Sequence, residues 1–322
     1  MVADSARRLP AGSGSAPGRV DLPTLLLAVF VYGGWLALTF AARFWPLWIV
    51  APAVVVVLIL HSSMQHEVLH GHPTRSRIIN DLIGNVPLSL WLPYRRYRIS
   101  HLTHHRDERL TDPVDDPESY YWTAQALAGK SRVSRLMLRA QQTLAGRIVI
   151  GSFWIPGMYI ASEWQRIRRD EPGLRAIWLE HLLLCIPVVL WVSLVCHIPL
   201  WVYIVGMAIP ANGLLLIRSF AEHRAVDNVR ERVAVVENSW IFGPLFLFNN
   251  LHALHHEAPG ISWYQLPALY RQHRQRLIHE NGGLLYNTYF DVARRFLWRS
   301  HDVLIHPKGR APIPPAAQAG SG

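Results

Sequence analysis

Cysteine is close to absent from this chain of 322 residues. Cys185 and Cys196 fall in one apolar stretch, so no disulfide framework holds the fold, and both read as packing residues. Charge is sparse too: 17% of the residues are charged against 51% hydrophobic, which is oily for a soluble protein. No internal repeat of fixed period occurs, which removes solenoid architectures. Lysine is rare, and nearly all the cations behind the formal charge of +10 are arginine. In a soluble chain that surplus would point to nucleic acid. Its distribution here gives it another meaning.

The apolar residues are concentrated in runs. Residues 22–42 and 46–63 contain no Asp, Glu, Lys or Arg, and in 176–217 only Glu180, His181 and His197 interrupt the apolar and neutral residues. A membrane helix needs about 20 apolar residues. Four spans are therefore expected, at 22–42, 46–65, 176–196 and 199–217. The first run is longer than the apolar core of a signal peptide, which argues against cleavage. Arg7, Arg8 and Arg19 precede the first span, Arg75, Arg77, Arg95, Arg96, Arg98, Arg106 and Arg109 follow the second, and Arg218, Arg224, Arg230 and Arg232 follow the fourth. The short turns carry only Arg43 and His197. By the positive-inside rule both termini and the large loops are cytoplasmic. The expected fold is an all-α, multi-pass integral membrane bundle of four helices under a cytoplasmic helical cap, with no nucleic-acid partner. Residues 1–20 and 307–322 read as disordered tails around a domain at 21–306. Two shorter apolar stretches, 78–93 and 147–161, read as interfacial or re-entrant pieces.

Histidine is plentiful and clustered. HEVLHGH supplies His66, His70 and His72, HLTHH supplies His101, His104 and His105, and LHALHH supplies His252, His255 and His256. Shuffling the 17 histidines gives roughly 0.05 copies of H-x-x-H-H, so two copies are not a chance event. On a helix, positions i, i+3 and i+4 share a face, and neutral imidazole is the commonest ligand for transition metals. Leaving His72 aside and adding His223 of AEH just beyond the fourth span, nine imidazoles exceed one ion's coordination and suffice for two. His61, His181, His197, His273, His279, His301 and His306 belong to no spaced cluster and read as structural, with His273 and His301 expected to face solvent. His72, between Gly71 and Pro73, is intermediate. If the charge bias sets the topology, all nine imidazoles meet at the cytoplasmic membrane face.

HEVLH, HLTHH and HALHH resemble the three histidine boxes of the membrane fatty acid desaturase superfamily, which also contains alkane hydroxylases and carotenoid ketolases and hydroxylases. AEH (221–223) resembles that family's additional histidine, and the likeness runs from residue 22 to about 267. The resemblance implies a di-iron centre, two Fe ions that activate dioxygen for attack on an unactivated C–H bond. Its ligands would be His66, His70, His101, His104, His105, His223, His252, His255 and His256. The implied function is desaturation of a fatty acyl chain in lipid metabolism; hydroxylation or ketolation of an alkyl, lipid or carotenoid substrate is the alternative. No fused redox module is visible, so the electron donor is expected to be a separate ferredoxin, rubredoxin or b-type cytochrome with its reductase. Some relatives hold a metal-bound water with an asparagine four residues before the additional histidine; Ser219 stands there, and Asn249 or Asn250 are substitutes. Glu67, Asp107, Asp112, Asp115, Asp116 and Glu222 are candidates to orient ligating rings, or to pair with nearby arginines. Trp91, Tyr94, Trp154, Trp263 and Tyr264 are candidate tunnel or interface residues. HEVLH also matches the H-E-x-x-H of zinc proteases, but such an enzyme has no use for two further boxes and L-D-G is missing. A metal transporter would place ligands nearer the midplane.

Overall fold

The computed structural model describes residues 20–106 and 109–307. The expected tails and Asp107 lie outside them, apart from Val20 and Pro307. Helix α1 (Leu22–Ala41) starts where Asp21 accepts the Thr24 amide at 3.3 Å, an ordinary N-cap. A tight turn ending at Pro46 leads into α2 (Leu47–Leu69), which packs along α1. Then come α3 (Arg77–Gly84), α4 (Tyr94–His104), α5 (Ala124–Ala128), α6 (Arg132–Ala140), α7 (Leu144–Val149) and α8 (Gly151–Arg168). The third apolar helix is α9 (Leu174–Leu190), extended to Val195 by a π-helical turn. The fourth runs from α10 (Leu200–Tyr203) through a π-helical turn (Ile204–Ala208) into α11 (Ile209–Glu222). Four short or medium helices follow: α12 (Phe242–Leu245), α13 (His252–Glu257), α14 (Leu266–Glu280) and α15 (Tyr289–Phe296). One parallel strand pair, Val235–Val236 with Leu285–Tyr286, ties the segment before α13 to the one after α14.

Among the described residues four helices are long and apolar enough to cross a membrane: Leu22–Ala41, Leu47–Leu69, Leu174–Val195 and Leu200–Glu222. The second and fourth extend past the expected ends, to Leu69 and Glu222, so that the second carries His66 on continuous helix and the fourth ends directly before His223. The stretches at 78–93 and 147–161 contribute α3, the end of α7 and part of α8, none of which qualifies as a span. Half of the apolar stretch of α2 is buried against 17% of that of the third span, so α2 and α11 form the inner pair. Leu26, Phe30, Trp48, Leu182, Ile186 and Trp201 point outward, which suits hydrocarbon and not water. Inside, the indole N–H of Trp35 donates to the Tyr203 hydroxyl, which donates to the Leu88 carbonyl, each at 2.8 Å. Buried polar groups so matched cost little. Glu180, the acid of the third span, accepts from Asn85 and Arg95 at 2.8 Å. Gly84 lies flat against the Tyr94 ring, where a Cβ would come within 2.5 Å of it; only glycine permits that approach. These contacts fix α4, and with it the second box, against the membrane helices.

Candidate metal centre

Each box sits where a helix ends. His66 lies in the last turn of α2 and His70 caps it, so the pair at i, i+4 faces one side. Gly71, at φ +104°, then turns the chain away in a conformation that favours glycine. His101 and His104 end α4, with His105 as its cap. His223 follows α11 in extended conformation. His252, His255 and His256 fill α13.

The nine rings form two groups, each with its ligand atoms within 4.8 Å of one another. The first contains His66, His70, His101, His105 and His255; the second contains His104, His223, His252 and His256. Neither H-x-x-H-H box serves one group alone. His101 and His105 turn to the first group and His104 to the second, while His252 and His256 turn to the second and His255 to the first. The shared helical face is thus divided between its i, i+4 pair and its i+3 member.

The nitrogens meet at distances that a cation explains. In the first group Nε2 of His101 lies 3.2 Å from that of His70 and 3.0 Å from that of His105, which is 3.1 Å from that of His255. In the second, Nε2 of His223 lies 3.1 Å from that of His104 and 3.0 Å from that of His252. Nitrogens ~2.1 Å from one ion lie about 3.0 Å apart at adjacent octahedral corners and about 3.4 Å apart at tetrahedral ones. The opposite ring atoms face acceptors. Nδ1 of His223 donates to the Arg232 carbonyl at 3.3 Å, and Nδ1 of His252 to Asn249 Oδ1 at 3.2 Å. A neutral imidazole has one N–H, so these two rings turn bare lone pairs toward each other. A proton on His104 relieves its own contact with His223 but leaves the His223–His252 contact unrelieved. His66 Nε2, buried beside the first group, has no hydrogen-bond partner.

The electrostatics agree. Burial first, and then neighbouring imidazoles, pushes His70, His101, His223, His252, His255 and His256 well below the usual histidine range, and His105 to about 2. They are neutral, as metal ligation requires. His104 differs: burial pushes it down, but Glu118, Asp116 and Glu222 outweigh that and raise it to about 9.

The fatty acid desaturase family model matches residues 43–290, a stretch that contains all nine histidines. The chain belongs to the fatty acid desaturase family. No curated protein matches it. Membership and the four apolar helices make it an integral membrane protein, and an oxidoreductase of the desaturase type.

The acidic residues expected around a desaturase-type centre sort into three kinds. Asp116 contacts a ring directly, at 2.9 Å from His104 Nδ1. Glu222 Oε1 lies 3.5 Å from His252 Nδ1 and 3.0 Å from the Arg218 guanidinium. Of the other described acids, Glu67 and Asp112 depart from the sequence expectation, while Asp115 takes its arginine alternative. Glu67 accepts the Trp263 amide at 3.2 Å instead of a ring N–H. Asp112 accepts the amides of Val114 and Asp115 within its own turn, and Asp115 pairs with Arg109 at 3.3 Å. Of the two asparagines it is Asn249 that meets a ring, whereas Asn250 donates to the Val236 carbonyl at 2.6 Å. Glu118, 3.2 Å from His101 Nδ1, was missed; the acidic run before Tyr120 was the available signal. Ser219 accepts from the Tyr120 hydroxyl at 3.0 Å.

His72 stands apart from both groups. Its Nδ1 lies 2.9 Å from the buried Asp21 carboxylate and its Nε2 3.2 Å from the Gly260 carbonyl. Ser262 also donates to Asp21, at 2.8 Å. Burial disfavours both charges, yet their mutual contact and the hydroxyls of Ser262 and Thr24 hold Asp21 at about 2 and raise His72. This clasp joins the start of α1, the end of the first box and the loop after the third. His301 is not at the solvent surface as expected: it is half-buried, 2.9 Å from the Tyr286 hydroxyl, and lines a cavity with His223. Of the aromatics, Trp263 donates to Thr24 and stacks on Phe248. Tyr94 is buried, and Trp91 meets Tyr159 edge-on. These are packing roles.

Proposed function

We propose that the chain is a membrane di-iron oxidoreductase that uses dioxygen and electrons from a separate protein to desaturate a fatty acyl chain. The observation that carries the reading is the pair of bare lone pairs of His223 and His252, facing each other at 3.0 Å inside a group of four imidazoles. Two all-imidazole groups of five and four nitrogens suit a borderline metal such as iron, and family membership supports iron over zinc. His66, His70, His101, His105 and His255 would hold one ion, and His104, His223, His252 and His256 the other. Bound iron would supply the oxidising chemistry that an unactivated C–H bond demands.

The side chains supply orientation. Asp116, Glu118 and Asn249 receive Nδ1–H of His104, His101 and His252, which turns each Nε2 inward and raises its basicity. Arg218 lies 3.0 Å from Glu222 Oε1, which in turn lies 3.5 Å from His252 Nδ1. The arginine bias favours placing these groups and both termini on the cytoplasmic side, where a soluble ferredoxin, rubredoxin or b-type cytochrome could deliver electrons. Glu67 argues against a zinc protease, whose H-E-x-x-H glutamate must face the metal-bound water; here it is occupied by a backbone amide.

Mass spectrometry of host lipids, with and without expression, tests the reading. Acyl chains lighter by two hydrogens are expected, and absent from a His104→Ala strain with equal protein. Chains heavier by one oxygen would convert the reading to hydroxylation. An unchanged lipid profile under iron-replete, aerobic growth contradicts both.

A further inference from the structure

Helix α6 (Arg132–Ala140) buries no side chain. Ser131 caps it, accepting the Ser134 amide at 3.1 Å, yet its 9 residues are too few for a helix to be stable alone in water. Something must cover one of its faces. Val133, Leu136, Met137 and Ala140 recur at i, i+3, i+4 and i+7, which is an apolar stripe. Val133 and Leu136 are 63% and 61% exposed. Arg132, Arg135 and Arg139 run along the flank of that stripe at i, i+3 and i+7. No Asp or Glu occurs from residue 119 to residue 162, and the three arginines form no ion pair among the described residues.

The end of α6 reaches the membrane helices. Gln141 caps it, and Gly151 lies between the Gln141 side chain and Leu216, where a Cβ would meet the first at 3.4 Å and the second at 3.1 Å. Leu216 belongs to the fourth apolar helix, and Arg218, two residues on, ends that helix's uncharged run. The contact therefore falls where hydrocarbon gives way to headgroups, at the end of the bundle that carries the histidine groups. We propose that α6 lies in the plane of the membrane surface, with its apolar stripe among the acyl chains and its three arginines on the phosphates of anionic phospholipids. Acyl chains cover the stripe, and the arginine stems run along apolar surface and deliver their guanidiniums to the headgroups. An acidic protein would also match the charge. But α6 is tied at its end to a helix already surrounded by lipid, so the bilayer reaches the stripe first. The inference rests on membrane insertion and not on the oxidation that the histidine groups perform.

Spin labelling tests this on the full chain. A nitroxide at Leu136→Cys, with Cys185→Ala and Cys196→Ala, reports the depth of the stripe from its collisions with oxygen and with a water-soluble nickel chelate. The chain is placed in nanodiscs of phosphatidylcholine, with or without phosphatidylglycerol. With the anionic lipid, oxygen collisions should exceed nickel collisions and the docked spectral component should dominate; without it, the docked fraction should fall. In R132Q/R135Q/R139Q the ratio of docked to undocked label in the anionic discs should drop by roughly fivefold per arginine removed. Added salt should lower the ratio of the labelled parent in the same direction. A label in water in both lipids overturns the proposal and leaves the stripe to a protein partner. Equal docking in both lipids, or an unchanged ratio in the triple variant, also overturns it, because headgroup recognition is then absent. The parent's contrast between the two lipids decides the matter alone if the triple variant is not recovered folded.

Discussion

The two histidine groups are built from the same boxes but are not equivalent. The first has five imidazoles, and among the described residues the carboxylate that touches it is Glu118, whose side chain is 30% exposed. The second has four, backed by Asp116 and Glu222, whose side chains are 2% and 9% exposed. A group with a spare ring and a wet partner tolerates loss better than one with no spare ring and dry partners. The difference teaches that ligand number and supporting charge are traded against each other. The five-ring group relies on nitrogen count, and the four-ring group on buried anions that orient its rings.

The largest expected effect follows from ring count. His104→Ala or His223→Ala should abolish lipid oxidation and lower iron from about two per chain to about one, whereas His70→Ala should retain more iron than either. Elemental analysis at matched expression checks the order; equal iron loss in all three would erase the distinction. Next come the carboxylates. Asp116→Asn should weaken metal binding by roughly 10–100-fold, measured against a competing chelator, and Glu118→Gln by clearly less because water already screens it.

The spacing of H-x-x-H-H, and of i, i+4 in HEVLH, made legible the box rings that the structure brings together, and the approach to the fourth span's end made His223 legible with the family likeness. Which group each ring joins was not, because the division of a helical face depends on where α13 meets α4. Glu118 escaped notice because it reaches His101 from 17 positions away, beyond any local periodicity. Asn249 and Asn250 could not be told apart in a segment where Leu247 and Phe248 take positive φ and no helix sets the facing. The four spans were readable from long apolar runs, of which the third is interrupted by Glu180. Glu67 misled because the next position on α2 is turned by about 100° from His66, and here that direction leads to the Trp263 amide.

Smaller effects sharpen the comparison. His104 holds a proton up to about pH 9 in the metal-free protein, while the rings of the first group are already neutral. A metal entering the second group must expel that proton. Its affinity should therefore climb as pH rises from 6 to 9, by up to about tenfold per unit, and level off above. The first group should stay flat over that window. Cobalt(II) titrations followed by visible absorption resolve the two, and parallel slopes would remove His104 as their difference. His72→Ala, which leaves Asp21 buried beside an empty site, should lower stability by about 3 kcal/mol with iron retained in both groups. Loss of iron equal to that in His70→Ala would instead make His72 a ligand.

The central claim is that nine imidazoles hold two irons. It is tested most directly by metal analysis of the full chain, purified in mild detergent after iron-replete expression, with Mössbauer spectra of the same sample. About two irons per chain, in two distinguishable nitrogen-rich environments, is the predicted result. One zinc per chain with no iron would contradict the account.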